Sequence, residues 1–158
     1  MRVIDYTPNS IVDGTGVRQV FWLAGCPHHC EGCHNPQTWN PDAGEEMSQL
    51  AVYNKALKSP YDVTFSGGDP MYQSASMYML LKHLHKHKNI WMYTGYTWEE
   101  IMKDPFKSVL LPYIDVLVDG RFIKELADPT LKFRGSSNQR IIDVQKSLAN
   151  KKIVLMEV

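Results

Sequence analysis

Short runs of β-branched and aromatic residues recur along the chain, and such runs predict buried strands. They cover residues 18–24 ("RQVFWLA"), 62–65, 89–96 ("NIWMYTGY") and 113–122 ("YIDVLVDGRF"). A weaker run at residues 152–157 is a candidate for a last strand. Polar and glycine-containing motifs follow several of these strands directly.

Two stretches between the predicted strands have the periodicity of amphipathic helices. The first covers residues 45–58, and its apolar side chains are Met47, Leu50, Tyr53 and Leu57. The apolar side chains of the second are Met77, Leu80, Leu81 and Leu84. A third helix is predicted to begin after Thr97, because Thr97 and Glu100 have the spacing of a capping box.

Strands that alternate with helices predict an α/β fold of parallel βα units with right-handed crossovers. A complete eight-fold barrel takes about 250 residues, and roughly 200 is its lower limit. A chain of 158 residues has room for only five or six units. We therefore expect one domain, residues 1–158, with a partial, open-sided (β/α) barrel and a site at the carboxyl ends of its strands.

Composition and charge narrow the classes of function. Seventeen basic and seventeen acidic residues cancel, so no nucleic-acid partner is expected. The first residues lack the apolar core of a secretory signal, and the longest apolar runs are too short to span a bilayer. These features predict a cytoplasmic protein with no membrane partner.

All three cysteines lie in one short segment, "GCPHHCEGCHN", at Cys26, Cys30 and Cys33. An odd, clustered set without a secretory signal indicates metal or redox chemistry instead of disulfides. Soft thiolate ligands suit either zinc or an iron–sulfur cluster. A closed zinc site would need a histidine of the same segment as its fourth ligand, whereas three cysteines on a cubane leave one iron open.

The spacing C-x3-C-x2-C directly after the first predicted strand resembles the signature of the radical S-adenosylmethionine superfamily. The resemblance implies a 4Fe-4S cluster held by Cys26, Cys30 and Cys33, with S-adenosyl-L-methionine bound at the open iron. The segment "SGGDP" is similar to the family element whose backbone and acidic residue contact the methionine amino group. Its counterparts here are Gly67, Gly68 and Asp69, with Asp in place of the usual Glu.

Further segments are similar to glycyl-radical-enzyme activases, namely "DGTGVR" and the block "FWLAGCPHHCEGCHNPQTW". Within that group, "WMYTGYTWEE", "DVLVDGRF" and "LKFRGSSNQRIIDV" resemble the activating proteins of anaerobic ribonucleoside-triphosphate reductase. The resemblance covers residues 11 to about 144. It implies that the 5′-deoxyadenosyl radical formed from S-adenosylmethionine removes a Cα hydrogen from a glycine of the reductase large subunit. It also implies a low-potential electron donor such as a flavodoxin-like protein.

The resemblance suggests roles for further cofactor-binding residues. Thr94 is a candidate contact for the ribose or carboxylate of S-adenosylmethionine, and an ordinary strand-end threonine is the alternative. Asp119 and Arg121 are candidates for anchoring the carboxylate, unless Asp119 only begins an Asp-Gly turn. Gly32 stands where many family members carry an aromatic residue that packs on adenine, so His34 or Tyr93 is expected to take that role.

Charged and glycine residues outside the cofactor motifs are candidates for receiving the partner protein. The alternative is that these residues are ordinary loop or strand-end residues that contact only solvent. They are Asp13, Gly14, Gly16, Arg18, Arg134 and Arg140.

Two other functions remain open from the sequence. One is a different small radical S-adenosylmethionine enzyme that acts on a small molecule. The other, of a different class, is a zinc-binding interaction module without catalytic activity.

Overall fold

A computed structural model describes residues 1–158, and its centre is one seven-stranded sheet. The strands are β1 (Arg2–Ser10), β2 (Arg18–Leu23), β3 (Glu45–Glu46), β4 (Asp62–Gly67), β5 (Ile90–Tyr93), β6 (Val116–Asp119) and β7 (Arg140–Asp143). The helices are α1 (Gln49–Lys58), α2 (Ser74–Leu84), α3 (Trp98–Met102), α4 (Pro105–Ser108) and α5 (Val144–Asn150). The strand order across the sheet is β3-β1-β2-β4-β5-β6-β7.

The α/β class predicted from the sequence is confirmed, but the sheet has fewer parallel strands than expected. β2, β4, β5 and β6 are parallel, whereas β1, β3 and β7 pair antiparallel at the two sides. After β6, residues 120–139 contain only a short 3₁₀ helix, Lys124–Leu126. Because no crossover helix carries the chain back, β7 returns antiparallel to β6, and the expected five or six parallel βα units become four parallel strands.

The first predicted helix begins later and buries a different face than expected. Glu45 and Glu46 form β3, and α1 starts after Ser48, whose hydroxyl accepts a hydrogen bond from the Ala51 N–H at 3.0 Å. Val52 and Ala56 are the buried residues of α1. Leu50, which the apolar period placed on the inner face, is 65% exposed.

Helices α2 and α3 follow the prediction closely. Every residue of the predicted apolar face of α2 is buried: Met77, Leu80, Leu81 and Leu84. Thr97 and Glu100 form both hydrogen bonds of the capping box at the start of α3. These helices pack against Phe21, Phe65 and other inward-facing residues of the strands in the main hydrophobic core.

Three strands, β1, β3 and β7, were not predicted, and one weakly predicted strand is absent. β1 contains polar residues and Pro8, which is tolerated because β3 pairs only with Arg2 and Val3 on the outer side of β1. β7 has only four residues and follows a long irregular segment. Residues 152–157 form no strand, and only an isolated bridge joins Leu155 to Ile142.

The parallel arrangement places the predicted motifs together. The cysteine segment follows β2, the glycine pair ends β4, Thr94 follows β5, and Asp119 ends β6. Because these four strands are parallel neighbours, their carboxyl ends meet at one edge of the sheet.

Candidate active site

A cavity of about 970 Å³ opens at the carboxyl ends of the parallel strands. Eleven of the residues singled out from the sequence line it: Asp13, Gly16, Cys26, Cys30, Cys33, His34, Gly67, Gly68, Tyr93, Thr94 and Arg134. Six others lie outside its lining: Gly14, Arg18, Asp69, Asp119, Arg121 and Arg140. The structure therefore brings the cysteine loop and the glycine pair together and places most of the predicted charged contacts elsewhere.

The cysteine loop leaves β2 through a tight backbone passage. The Gly25 N–H donates to the Thr38 carbonyl at 2.8 Å, and the Cys26 N–H donates to the Trp39 carbonyl at 3.3 Å. Gly25 has φ +92°, and a Cβ there would lie 2.6 Å from the Tyr72 ring. A side chain at position 25 would therefore disturb the start of the loop.

The three cysteines are free and half-buried, and all of them line the cavity. The Asn35 N–H donates to the Cys33 sulfur at 3.4 Å. Burial raises the pKa of the Cys26 thiol. A cationic iron centre would favour the thiolate that burial opposes.

Two observations bear on whether this loop fits an iron–sulfur cluster. The donor set consists of three thiols on one loop with no disulfide among them, which suits soft iron–sulfur ligation. In addition, the indole Nε1 of Trp39, beside the start of the loop, is buried without a hydrogen-bond partner. Trp39 stacks on His29 of the loop but does not line the cavity, so the fit to a cluster rests on the three thiols and not on this N–H.

The glycine pair is required by close packing against the start of the cysteine loop. The Gly68 N–H donates to the Leu23 carbonyl at 2.8 Å, and the Asp69 N–H donates to the Gly25 carbonyl at 2.7 Å. A Cβ on Gly67 would lie 2.4 Å from the Leu23 nitrogen, and one on Gly68 would lie 2.5 Å from the Gly25 oxygen. Only glycine fits at both positions, because a side chain on either residue would collide with the backbone of β2 or of the cysteine loop.

The Asp69 carboxylate has other partners than the ammonium that the resemblance implies. Asp69 is fully buried. Its oxygens accept hydrogen bonds from the Met71 N–H at 3.0 Å, the Gly95 N–H at 2.9 Å and the Thr94 hydroxyl at 2.8 Å. The His28 ring adds a fourth partner at 2.7 Å. The carboxylate is therefore satisfied by the protein and does not face the cavity.

Tyr93 and Thr94 form the part of the cavity wall that follows β5. Thr94 is almost fully buried, and its hydroxyl accepts from the Tyr96 N–H at 3.1 Å while donating to Asp69. Burial, reinforced by the negative charge of Asp13, raises the pKa of the Tyr93 hydroxyl. Tyr93 is therefore a neutral hydrogen-bonding group at ordinary pH.

Phe122 is a cavity residue that the sequence analysis did not single out. Its ring centroid lies 5.2 Å from that of His34, and its edge lies 3.4 Å from where a Cβ on Gly32 would stand. Phe122 thus places an aromatic ring beside the position where many family members carry one before the third cysteine. Its location just after β6, at the edge where the motifs meet, was the available signal.

Asp119 and Arg121 are held by ionic partners away from the cavity. Asp119 is buried, and the Arg140 guanidinium contacts its carboxylate at 2.6 Å. Arg121 forms two hydrogen bonds with Glu100, at 2.6 and 3.0 Å, and the Arg121 guanidinium lowers the pKa of that carboxyl to about 2. Arg140 also contacts Glu99 at 2.7 Å. These pairs tie the start of α3 to β6 and β7.

Arg18 points into the protein and shapes the loop before β2. Arg18 is 2% exposed, and its Nε donates to the Thr64 hydroxyl at 2.9 Å, which in turn donates to the Asp13 carbonyl at 2.7 Å. Burial lowers the pKa of the Arg18 guanidinium to about 10. A Cβ on Gly14 would lie 2.6 Å from the Arg18 side chain and 2.9 Å from Trp91. Arg18 and Gly14 therefore support the loop that carries Asp13 to the cavity.

Arg134 also lines the cavity. Its guanidinium donates to the carbonyl oxygens of Gln139 at 2.6 Å and Ser137 at 3.2 Å. None of the ion pairs of the structure includes Arg134, so no carboxylate neutralises this guanidinium.

No helix has both the length and the apolar composition needed to cross a membrane.

Comparison with known proteins identifies the family. The model of the 4Fe-4S single cluster domain matches residues 12–142. A protein of Vibrio cholerae named anaerobic ribonucleoside-triphosphate reductase-activating protein is 39% identical over 153 residues, which cover 89% of this chain and 97% of that protein. The chain belongs to this activating-protein family.

Two further members of the activating-protein family show how widely the similarity extends. The protein of the same name from Pasteurella multocida is 36% identical and covers 89% of this chain and 96% of its own length. The one from Enterobacteria phage T4 is 38% identical and covers 85% of this chain and 88% of its own length. The similarity to the activating proteins therefore extends well beyond the cysteine loop.

Proposed function

We propose that this chain, as one catalytic domain of residues 1–158, activates an anaerobic ribonucleoside-triphosphate reductase by generating a glycyl radical on its large subunit. The observation that carries this proposal is the shared cavity of the cysteine loop and the glycine pair. Family membership supports it, because the relatives are named as activating proteins for this reductase.

Cys26, Cys30 and Cys33 are the proposed ligands of the 4Fe-4S cluster. All three are free thiols at one side of the cavity. The bound cluster supplies the electron that cleaves S-adenosyl-L-methionine. The chain holds the loop through the hydrogen bonds of Gly25 and Cys26 and shields it from solvent by half-burying each thiol.

The exposed backbone of Gly67 and Gly68 is the proposed contact for the methionine end of S-adenosylmethionine. Both glycines line the cavity, and because neither has a side chain, their backbone packs directly against the start of the cysteine loop. The Thr94 hydroxyl lies in the same wall but is committed to Asp69. Asp119 and Arg121 are not among the proposed cofactor contacts. The Asp119 carboxylate binds Arg140, and the Arg121 guanidinium binds Glu100.

Phe122 is the proposed stacking partner for adenine, with His34 beside it. The two rings are adjacent, and both line the cavity next to the cysteine loop. Aromatic rings bind bases of any identity because every base has a π-face. Tyr93, on the neighbouring wall, offers its neutral hydroxyl to the ribose.

The mouth of the cavity is the proposed entrance for the glycine-bearing loop of the reductase. Asp13, Gly16 and Arg134 line the cavity and offer charges and bare backbone to a peptide. The antiparallel strands at both sides of the parallel centre support an open-sided barrel, which would admit the peptide. A flavodoxin-like protein is the proposed electron donor, and the cytoplasm the proposed compartment.

The test is activation of the reductase with purified components. The protein is reconstituted anaerobically with iron and sulfide and then mixed with the reductase, S-adenosylmethionine and a reductant. We expect about four irons and four sulfides per chain and a glycyl radical signal by electron paramagnetic resonance. Cleavage of S-adenosylmethionine without a glycyl signal would favour a small-molecule substrate, and a colourless protein with one zinc would contradict the proposal.

A further inference from the structure

One hydrogen bond joins the middle of the cysteine loop to the rest of the protein. Within residues 27–32, the His28 side chain is the only group that hydrogen-bonds outside the loop, and it does so to Asp69 Oδ2 at 2.7 Å. The neighbouring ion pair between Glu31 and Lys124 is 3.8 Å long, and both side chains are exposed. The segment between the first and third cysteines is also held by the stacking of His29 on Trp39 at 4.4 Å, but its hydrogen bond to the rest of the protein depends on His28.

The His28 ring is confined by its neighbours. Its side chain is only 4% exposed, and it packs edge-on against Tyr96 at a centroid distance of 4.5 Å. It also lies directly on Gly95, where a Cβ would come within 2.4 Å of the imidazole Cδ2. Gly95 thus leaves the space that lets His28 reach Asp69.

The direction of the bond follows from the other partners of the carboxylate. The backbone N–H groups of Met71 and Gly95 can only donate, so the Asp69 carboxylate is an acceptor. The Thr94 hydroxyl also donates to it. The Nε2 of His28 is therefore the donor in the bond to Oδ2, a charge-assisted bond in a buried setting.

Through this one carboxylate, three loops are joined. Asp69 directly follows the glycine pair, His28 belongs to the cysteine loop, and Thr94 and Gly95 follow β5. On the proposed function, the first loop receives the methionine end and the second holds the cluster. The geometry around the Asp69 carboxylate thus contributes to the distance between these two groups, together with the backbone hydrogen bonds from Gly68 to Leu23 and from Asp69 to Gly25.

We infer that His28 is a positioning residue, which acts through Asp69 to set the cluster ligands at the correct place relative to the S-adenosylmethionine site. This inference rests on the proposed function. Its physical basis is that outer contacts which orient ligands tune a metal site, and that a shift of about 1 Å can cost 10²-fold in a reaction that depends on positioning.

The experiment compares two substitutions at His28. His28→Leu removes the donor and keeps an apolar side chain, whereas His28→Gln keeps an N–H donor that can reach Asp69. Each protein is reconstituted anaerobically and assayed for iron and sulfide. The reduced cluster is then titrated with S-adenosylmethionine while its electron paramagnetic resonance spectrum is followed.

We expect His28→Leu to load the cluster but to need about 10- to 100-fold more S-adenosylmethionine for half of the spectral change, as for other outer contacts of metal sites. His28→Gln should stay within about threefold of the wild type. Failure of His28→Leu to load the cluster, with normal loading of His28→Gln, would equally support the inference. If His28→Leu carries the cluster and reaches half of the spectral change at the same S-adenosylmethionine concentration as the wild type, the inference is overturned.

A second variant decides the case in which both His28 variants misfold. Gly95→Ala leaves His28, Asp69 and the cysteines unchanged but displaces the imidazole through its added Cβ. We expect the same weakened titration, and a wild-type titration would overturn the inference. If the wild-type cluster itself gives no response to S-adenosylmethionine, the proposed function fails as well. A normal wild-type response with equally normal variants defeats only the role of His28.

Discussion

The guanidinium of Arg140 lies 2.6 Å from the buried carboxylate of Asp119. The same carboxylate accepts a hydrogen bond from the Trp98 N–H at 2.7 Å, at the first residue of α3. Asp119 therefore joins β6, β7 and α3, and Arg140 supplies the charge that makes its burial tolerable.

Arg140→Met should destabilise the protein by about 3 kcal/mol, because it leaves a buried carboxylate without its cationic partner. The measurement is urea denaturation of the reconstituted protein under anaerobic conditions. Arg134→Met is the matched control, since that guanidinium contacts only carbonyl oxygens, and its loss should be clearly smaller. Adding Asp119→Asn to Arg140→Met should restore part of the stability. Equal losses in the two arginine variants would contradict the structural role of Asp119.

Cys30→Ala should abolish assembly of the 4Fe-4S cluster while the protein stays folded. The reason is that two thiolates of the loop cannot replace the three that the cluster is proposed to need. Iron and sulfide analysis, with circular dichroism for the fold, measures the outcome. Glu31→Ala, an exposed neighbour in the same loop, should load the cluster like the wild type. A full cluster in Cys30→Ala would disprove the ligand assignment.

Phe122→Ala should weaken the binding of S-adenosylmethionine by about 1–3 kcal/mol, the usual value of stacking a base on an aromatic side chain. Equilibrium dialysis against the reconstituted protein gives the dissociation constant. Phe106→Ala removes the same ring from a site that is 75% exposed and outside the cavity, and it should leave binding unchanged. If both variants bind like the wild type, adenine lies elsewhere in the cavity.

Gly68→Ala should impair both the fold and cofactor binding. Its Cβ would lie 2.5 Å from the Gly25 oxygen and 2.9 Å from the Thr38 oxygen, so the backbone of the cysteine loop must move. Overpacking of this kind costs about 1–3 kcal/mol. Gly16→Ala is the control, because it meets nothing within 4 Å and carries only the strain of a positive φ. Thermal unfolding of both variants should show the larger loss for Gly68→Ala, and the reverse order would argue against the close packing of the two loops.

The four parallel strands and helices α2 and α3 could be predicted from local sequence patterns. The capping box at Thr97 and the buried face of α2 depend on residues within a few positions of one another. β1 and β7 were missed because their pairing with distant strands, and not their own composition, makes them strands. The buried face of α1 was wrong for the same reason, since packing selected Val52 and Ala56 over the larger Leu50.

In the candidate site, too, local sequence motifs were predictable, whereas contacts between distant residues were not. The cysteines and the glycine pair, which the sequence motifs singled out, share one cavity at one edge of the sheet. The charged residues were less predictable, because the partner of a carboxylate or guanidinium is chosen by tertiary packing. Arg18 was expected at the partner surface, yet it lies inside and hydrogen-bonds Thr64.

By itself, the sequence determined which chemistry is available: three clustered thiols, a glycine turn that admits a ligand, and parallel strands that bring them together. Only the tertiary structure decided which side chains face the cavity and which hold the walls in place. Asp69 and His28 are 41 residues apart in the chain, and Arg121 and Glu100 are 21 apart. Contacts of this kind form because packing brings distant groups within hydrogen-bond distance, and no local pattern of residues encodes that distance.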